Sequence, residues 1–291
     1  MTNNEVATKK ITVSHSEVDS YLRCERQHFY GYGLGVTRIN ESDSLARGTA
    51  GHKILEKFFN GLKDGLDVKD LNTQVFADCA EIAILNPDQA GELIRTFIAF
   101  FNNYPFYGWV VEGVEQEYVL PVTEGLAIPF VVDLLIRDPY GYLWVIDHKF
   151  MYDYLNDRDL ELTPQLAKYF IGLKALGVQV DRAAYSVYRY RPNQKDDNYK
   201  FTPVDFTQER LVQTIREQAI VADRILKLKE LPIEQWSYNA MRVSNKMVCN
   251  SCSFRSLCVA ELNDWQPNLV LSADYKPRQR REFTVEKMLE D

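Results

Sequence analysis

Two carboxylates and a lysine are the most chemically loaded residues of this sequence. They stand in the stretch Phe130-Val-Val-Asp133-Leu-Leu-Ile-Arg-Asp-Pro-Tyr-Gly141-Tyr-Leu-Trp-Val-Ile-Asp147-His148-Lys149. A carboxylate inside an apolar run is costly to bury unless it is paired, hydrogen-bonded or metal-bound. Two of them on adjacent strands repel unless a cation lies between. A hard divalent ion such as Mg²⁺ takes oxygen ligands and keeps several waters. One of those waters can become the nucleophile in phosphodiester hydrolysis. Lys149 would then hold the attacking water or the transition-state charge. The plainer alternative is a structural Asp–Lys pair at a strand end, because ion pairs of that kind also look like sites.

The elements that position these residues form a hairpin. Ile128 to Arg137 is apolar and rich in β-branched residues, which predicts a buried strand. Asp138-Pro-Tyr-Gly141 predicts a turn, and Tyr142 to Ile146 a second strand. Alternation puts Asp147 and Lys149 on one face and His148 on the other.

An Asp followed one hairpin later by Asp/Glu-x-Lys resembles the PD-(D/E)XK nuclease superfamily, with Asp133 and Asp147-His148-Lys149 in the pattern. The resemblance implies an α/β fold with a restriction-endonuclease-like core, a central mixed sheet flanked by helices. Two further motifs extend it. Arg47-Gly48-Thr-Ala-Gly51-His52 opens a helix continued by Ile54, Leu55, Phe58 and Phe59, with His52 expected near the first turn. A lone histidine there serves capping or packing as readily as ligation. The Gly-x-x-x-His pattern resembles the RecB-like branch, in which this histidine is a metal ligand. Thr163-Pro164 predicts a helix start, and Gln165 and Tyr169 lie four apart on one stripe of that helix. Gln-x-x-x-Tyr after Asp-x-Lys resembles the RecB-like signature. It implies that Gln165 and Tyr169 orient the catalytic lysine and contact the DNA backbone. The same resemblance implies Mg²⁺ or Mn²⁺ held by His52, Asp133, Asp147 and the main-chain carbonyl of His148.

The cysteines add a second centre. Cys249-Asn-Ser-Cys252-Ser-Phe-Arg-Ser-Leu-Cys258 can converge on one metal, one ligand short of a Cys₄ set. Cys24, in a helix that starts at the capping box Ser14-His-Ser-Glu17 and ends near Gly31 or Gly33, is the candidate fourth. A lone helical cysteine is otherwise buried filler. One cysteine before the core and three after it resembles the iron–sulfur nucleases of the RecB-like group, AddB-like and CRISPR-adaptation nucleases among them. That implies a 4Fe–4S cluster closed by Cys24, Cys249, Cys252 and Cys258. Zinc is the alternative, since Cys₄ also suits Zn²⁺.

The remaining chain is read around these motifs. Residues 68 to 104 predict two helices, and 53–104 is taken as a helical insert over the groove. The aromatic run Phe100 to Trp109 suits a core more than a base-stacking platform. Val110 to Leu120 predicts a strand with Glu112, Glu115 and Glu117 among apolar positions; the resemblance implies an acid before the hairpin as auxiliary ligand, for which Glu117 is the candidate, although a solvated strand face is the reading the residues favour. Arg182 to Arg191 predicts another, with Arg189 and Arg191 on one face as candidate phosphate contacts. Residues 206 to 230 predict a long helix. Beyond Trp265 the chain is charged, including Lys276-Pro-Arg278-Gln-Arg280-Arg281. The expected organisation is a flexible 1–12, one nuclease domain over 13–264 with a cysteine segment at 240–264, and a charged tail at 265–291.

The chain has 291 residues, 46% hydrophobic and 26% charged, with net charge −7 and five cysteines. That is globular composition, and the acidic balance argues against a broad non-specific nucleic-acid coat. Without a signal-like N-terminus or a long apolar run, a cytoplasmic protein off the membrane is expected. In that compartment the cysteines point to metal rather than disulfides. The function these readings imply is metal-dependent DNA hydrolysis by a stand-alone bacterial or phage exonuclease acting on single strands or free ends. A homo-oligomer or a recombination or replication partner is compatible with it. The rival is a non-catalytic DNA-end-binding or adaptor protein that keeps the fold.

Overall fold

The computed structural model describes residues 11–40, 42–81, 86–122, 126–154, 162–191, 198–243 and 245–279. Its contacts separate into two compact units. One unit comprises residues 42–118 and 131–215, and the other comprises 1–41, 119–130 and 216–291.

The first of these units is built on strands. Across the described residues the strands are β1 (Ile11–Thr12), β2 (Val36–Arg38), β3 (Val110–Pro121), β4 (Leu126–Arg137), β5 (Leu143–Met151), β6 (Arg182–Arg189), β7 (Tyr199–Val204) and β8 (Tyr275–Pro277); β5, β6 and β7 lie wholly within this unit, and β1, β2 and β8 in the other. Hydrogen-bonded neighbours run β1-β4-β5-β6-β7, with β3 also on β4. The sheet is mixed: β4–β5 and β6–β7 are antiparallel, and β5–β6 is parallel. This is the α/β arrangement expected from the hairpin and its flanking helices. The predicted turn closes through Gly141, at φ 90°, and Asp138 caps it by accepting from the amides of Tyr140 and Tyr142.

Helices α3 (Asp43–Lys63), α4 (Val68–Glu81) and α5 (Pro87–Asn102) supply Ile54, Phe58, Phe59, Leu93, Phe97 and Phe100 to one core with Leu134, Ile136, Ile146 and Tyr188 of the sheet. Helices α1 (His15–Arg23) and α2 (Glu25–His28) precede them in the chain. The segment read as an insert therefore packs on the sheet, and the Phe100–Trp109 aromatics are largely core, with Phe100 and Phe106 buried. Aliphatic β-branched strands covered this way need no polar partner on that face. Helix α6 (Pro164–Ala175) buries Leu166, Ala167, Phe170 and Leu173 and packs on β5 and β6.

In the second unit, β1 pairs in parallel with Leu126–Ala127. Val13, Val18, Leu126, Val221, Ala222 and Ile225 form a small core there, using the C-terminal part of α7 (Gln208–Lys229). The expected first helix is broken. Cys24 adopts an extended backbone between α1 and α2, and Phe29–Gly33 winds as a π-helix. Ser14 caps α1 as predicted, but Glu17 turns inward to His28 and Lys229 instead of back to the cap. After α8 (Ile233–Asn239), α9 (Lys246–Asn250), α10 (Arg255–Leu262) and α11 (Pro267–Asp274), β8 pairs with β2. Much of the charged tail is thus ordered structure. Arg278 lies over the Tyr32 ring, and Arg280 and Arg281 fall outside the described residues. No helix among the described residues is long and apolar enough to cross a membrane.

Candidate active site

The hairpin register sets the acidic pair. Leu134 pairs with Ile146, and Asp133 and Asp147 are the next residues outward on their strands. Asp133 Oδ2 accepts the His148 amide at 2.8 Å. Asp147 is buried at 1% exposure, and Lys149 Nζ lies 2.7 Å from its Oδ2. That approach is out of line for a hydrogen bond, so neither Asp147 carboxylate oxygen receives one among the described residues. A buried carboxylate left in that state is unfavourable without a further cation.

The Gln165/Tyr169 stripe meets this pair. Lys149 Nζ donates to Gln165 Oε1 at 2.5 Å, and Gln165 Nε2 donates to the Tyr169 hydroxyl at 2.7 Å. Asp147, Lys149, Gln165 and Tyr169 form one continuous polar chain from β5 to α6. Strand parity and the four-residue helical repeat predict both halves of it. Burial, then the charges of Asp147 and Asp133, hold the Tyr169 hydroxyl well above its ordinary range, so it stays protonated.

His52 reaches the acids from α3, but not from the first turn. Ser42 caps the helix and Asp43 opens it. His52 therefore sits about two and a half turns in. Arg47-Gly48 reads as a helix opening in sequence, but the helix starts earlier, at the Ser42 cap. Gly51 lets the helix close on the sheet, since a Cβ there would come within 2.2 Å of the Phe150 ring. His52 Nδ1 is 3.7 Å from Asp133 Oδ2 and 3.7 Å from Glu115 Oε1. Burial lowers its pKa, but the neighbouring Glu115 carboxylate and the charges of Asp133 and Asp147 outweigh this and raise it.

Glu115 is the residue that the sequence reading missed. Its backbone is left-handed, φ 49°, in the middle of β3. A left-handed residue breaks the two-residue alternation, so parity cannot say which of Glu112, Glu115 and Glu117 faces the acids. Glu115 does, and donor atoms of His52, Glu115 and Asp133 all lie within 4.8 Å of one another. Gly113 inside the strand was the available signal, since a strand glycine often marks a bulge.

The other predicted site residues separate into two groups. The His148 ring turns away from the acids, as alternation requires, and stacks on Phe59 with its ring centroid at 5.5 Å. Burial, then the neighbouring charge of His52, keeps it neutral, so its imidazole belongs to the core. Arg189 and Arg191 converge on Asp153, at 3.4 and 2.6 Å. Arg189 is buried and also lies over the Tyr154 ring.

Cys24, Cys249, Cys252 and Cys258 belong to the other unit, where Cys24 and Cys258 are close enough to Cys252 to act on it electrostatically, but among the described residues no three of their Sγ atoms lie within 4.8 Å of one another. Cys24 Sγ is 3.8 Å from the Met241 carbonyl, and Cys252 Sγ is 3.5 Å from Gln27 Oε1. Cys252 and Cys258 flank a core of Phe29, Tyr30, Trp236, Phe254, Leu257 and Tyr275. Burial raises the Cys252 thiol pKa, and charge on Cys24 and Cys258 raises it further. Cys79 is buried apart from them, in the core of the strand-built unit.

A test of the acid cluster follows from electrostatics. Burial, then the charge of Asp147, pushes the Asp133 carboxyl from 3.8 up to about 7. Both folded and unfolded forms are neutral below the lower value, so nothing is lost there. As pH rises between the two values, only the unfolded chain ionises and stability falls. Above about 7 the full cost is present. In chelator, Asp133→Asn should therefore be more stable than the parent, by on the order of 2–4 kcal/mol at pH 8. Urea unfolding at several pH values checks this. A difference that does not grow between pH 4 and 7 would rule the electrostatic account out.

A family model described as the PD-(D/E)XK nuclease superfamily matches residues 12–259. No curated protein matches the sequence. Among solved structures, "Crystal structure of SSO0001" aligns at 16% identity over 87% of each chain, with a TM-score of 0.39. The family match runs far beyond the Asp-x-Lys hairpin and takes in the helices on either side of it, so this chain belongs to the PD-(D/E)XK nuclease superfamily.

Proposed function

We propose that the protein is a metal-dependent deoxyribonuclease, an exonuclease acting on single-stranded DNA or DNA ends. The polar chain Asp147–Lys149–Gln165–Tyr169, beside the His52–Glu115–Asp133 cluster, carries this reading. His52, Glu115, Asp133, Asp147 and the His148 carbonyl would hold Mg²⁺ or Mn²⁺. The donor set is oxygen-rich, and the undonated oxygens of Asp147 suit a hard cation. When bound, the ion would supply Lewis-acid polarisation of the phosphodiester.

The chain's own groups do the rest. Lys149 is fixed between Asp147 Oδ2 and Gln165 Oε1, so its ammonium is aimed before substrate arrives. It holds the attacking water and meets charge developing on the phosphoryl oxygens. Tyr169, kept protonated, donates toward the strand's backbone while Gln165 orients Lys149. In the other unit, Cys24, Cys249, Cys252 and Cys258 would hold a 4Fe–4S cluster that ties distant parts of the sequence together. The Cys-x2-Cys-x5-Cys spacing of the last three, with Cys24 near Cys252, supports this.

Labelled linear and circular single-stranded DNA, incubated with Mn²⁺ or with chelator, tests the reading. The expected result is metal-dependent shortening of the linear strand and an intact circle. Binding to ends with no cleavage would instead make the protein an adaptor. Gln165→Ala and Tyr169→Ala should each slow cleavage by roughly 10-fold or more while manganese binding, followed by calorimetry, persists. Parental rates in both variants would show that the stripe does not act on Lys149.

A further inference from the structure

The unit that carries the cysteines also contains a cavity of about 630 Å³, lined in part by Arg38, Asn250, Arg255, Val259, Trp265 and Val270. Pockets of roughly 300–1,000 Å³ are the size that takes small organic groups. Trp265 is 64% exposed, and its ring meets no other aromatic ring among the described residues. Its backbone is held in place. Asp264 and Gln266 on either side are left-handed, at φ 53° and 47°, and the Trp265 amide donates to the Ala260 carbonyl at 2.9 Å. Non-glycine residues in that region cost conformational energy, and such strain persists where the surrounding structure fixes it. Here the strained turn presents a tryptophan to solvent at the edge of a cavity.

The charged side chains that line it, Arg38 and Arg255, are cationic, while Asp274 accepts from the Ser256 hydroxyl of its wall at 3.3 Å. Arg38 is held in β2 opposite Tyr275. Neither Arg38 nor Arg255 pairs with a carboxylate among the described residues. Arg255 Nη1 donates to Asn250 Oδ1 at 3.0 Å, which leaves its other donors available. Val259 and Val270 add apolar wall. An acidic peptide would use the guanidinium groups but has no need of a flat indole. A nucleic-acid strand uses both, since bases stack on aromatic faces and phosphates are neutralised by arginine.

We infer that this cavity is a nucleotide subsite for single-stranded DNA, with a base on Trp265 and its flanking phosphates on Arg38 and Arg255. The choice of DNA rests on the nuclease reading, but binding here does not depend on cleavage.

Fluorescence anisotropy of fluorescein-labelled oligothymidylate with the full chain, in chelator and across a salt series, tests the inference. Trp265→Ala should weaken binding roughly 10- to 100-fold, and Trp265→Phe should restore most of it. Arg38→Gln and Arg255→Gln should each reduce the log–log salt slope by about 0.7. These side chains are exposed, so melting temperatures should stay at the parental value. Parental affinity in Trp265→Ala overturns the subsite. So does competition by inorganic polyphosphate that is equally strong in the parent and in Trp265→Ala, which would mark a plain anion patch. Parallel cleavage assays keep the two readings apart. Loss of binding in Trp265→Ala with no cleavage by any form upholds the subsite and sinks the nuclease reading. Parental binding and cleavage by Trp265→Ala does the reverse.

Discussion

Asp147→Ala should fold normally and show no Mn²⁺-dependent cleavage above a chelator blank, while Lys149→Ala should lose on the order of 10²–10³ in rate. The Asp147 carboxylate is buried and receives no hydrogen bond among the described residues. Removing it relieves an unfavourable burial, so the fold has little reason to fail. The loss is then chemical, because the cluster gives up an oxygen ligand and Lys149 gives up the partner that fixes its ammonium. Lys149→Ala leaves the donor cluster whole and removes only a group that meets the developing charge. Its effect should fall on kcat, with metal affinity changed little. Full activity in Asp147→Ala would end the assignment of this site.

The second large effect concerns the cysteines, where stability should respond more than catalysis. Protein purified without oxygen should be brown and contain iron. Cys24→Ser, Cys249→Ser, Cys252→Ser and Cys258→Ser should each lose the metal. A cluster joining Cys24 to Cys258 closes a very long loop, and metal-binding energy at such a site becomes folding energy. Losing a cross-link of that reach, taken at ~2–4 kcal/mol, lowers the melting temperature by roughly 4–16 °C. The control is Cys79→Ala, which should retain iron. Cys79 is fully buried, so a serine there would place a hydroxyl in an apolar core and cost stability for an unrelated reason. Colourless protein with one zinc per chain would replace the cluster with a zinc site. Metal retained in Cys24→Ser would remove the link between the two ends of the sequence.

The sequence by itself determined whatever depends on local period. The apolar, β-branched runs around Asp133 and Asp147 read as buried strands, and the proline–glycine turn between them marks the hairpin. Strand parity then put Lys149 with Asp147 and sent His148 to the core, as the Lys149 ion pair and the His148–Phe59 stack show. The spacing of Gln165 and Tyr169 put both on one stripe of α6, where the structure links them to Lys149.

Only the tertiary structure decided what depends on a break in period or on distant partners. A left-handed Glu115 interrupts β3, and no count along the strand could choose it over Glu117, which has the same parity. The Ser42 cap moved His52 from the first turn to the third, where the helix axis brings it over Asp133. Arg189 looked like a phosphate contact because strand edges expose charge, but Asp153 and Tyr154 enclose it. Cys24 sits at a break between helices because its neighbours bond to the Met241 segment, far away in sequence. The cavity beside Trp265 exists only because β2 and α10 bring Arg38 and Arg255 to the same hollow. Local pattern governs what a short window of backbone can adopt, whereas a site's electrostatics and shape come from groups that meet only when the chain has folded.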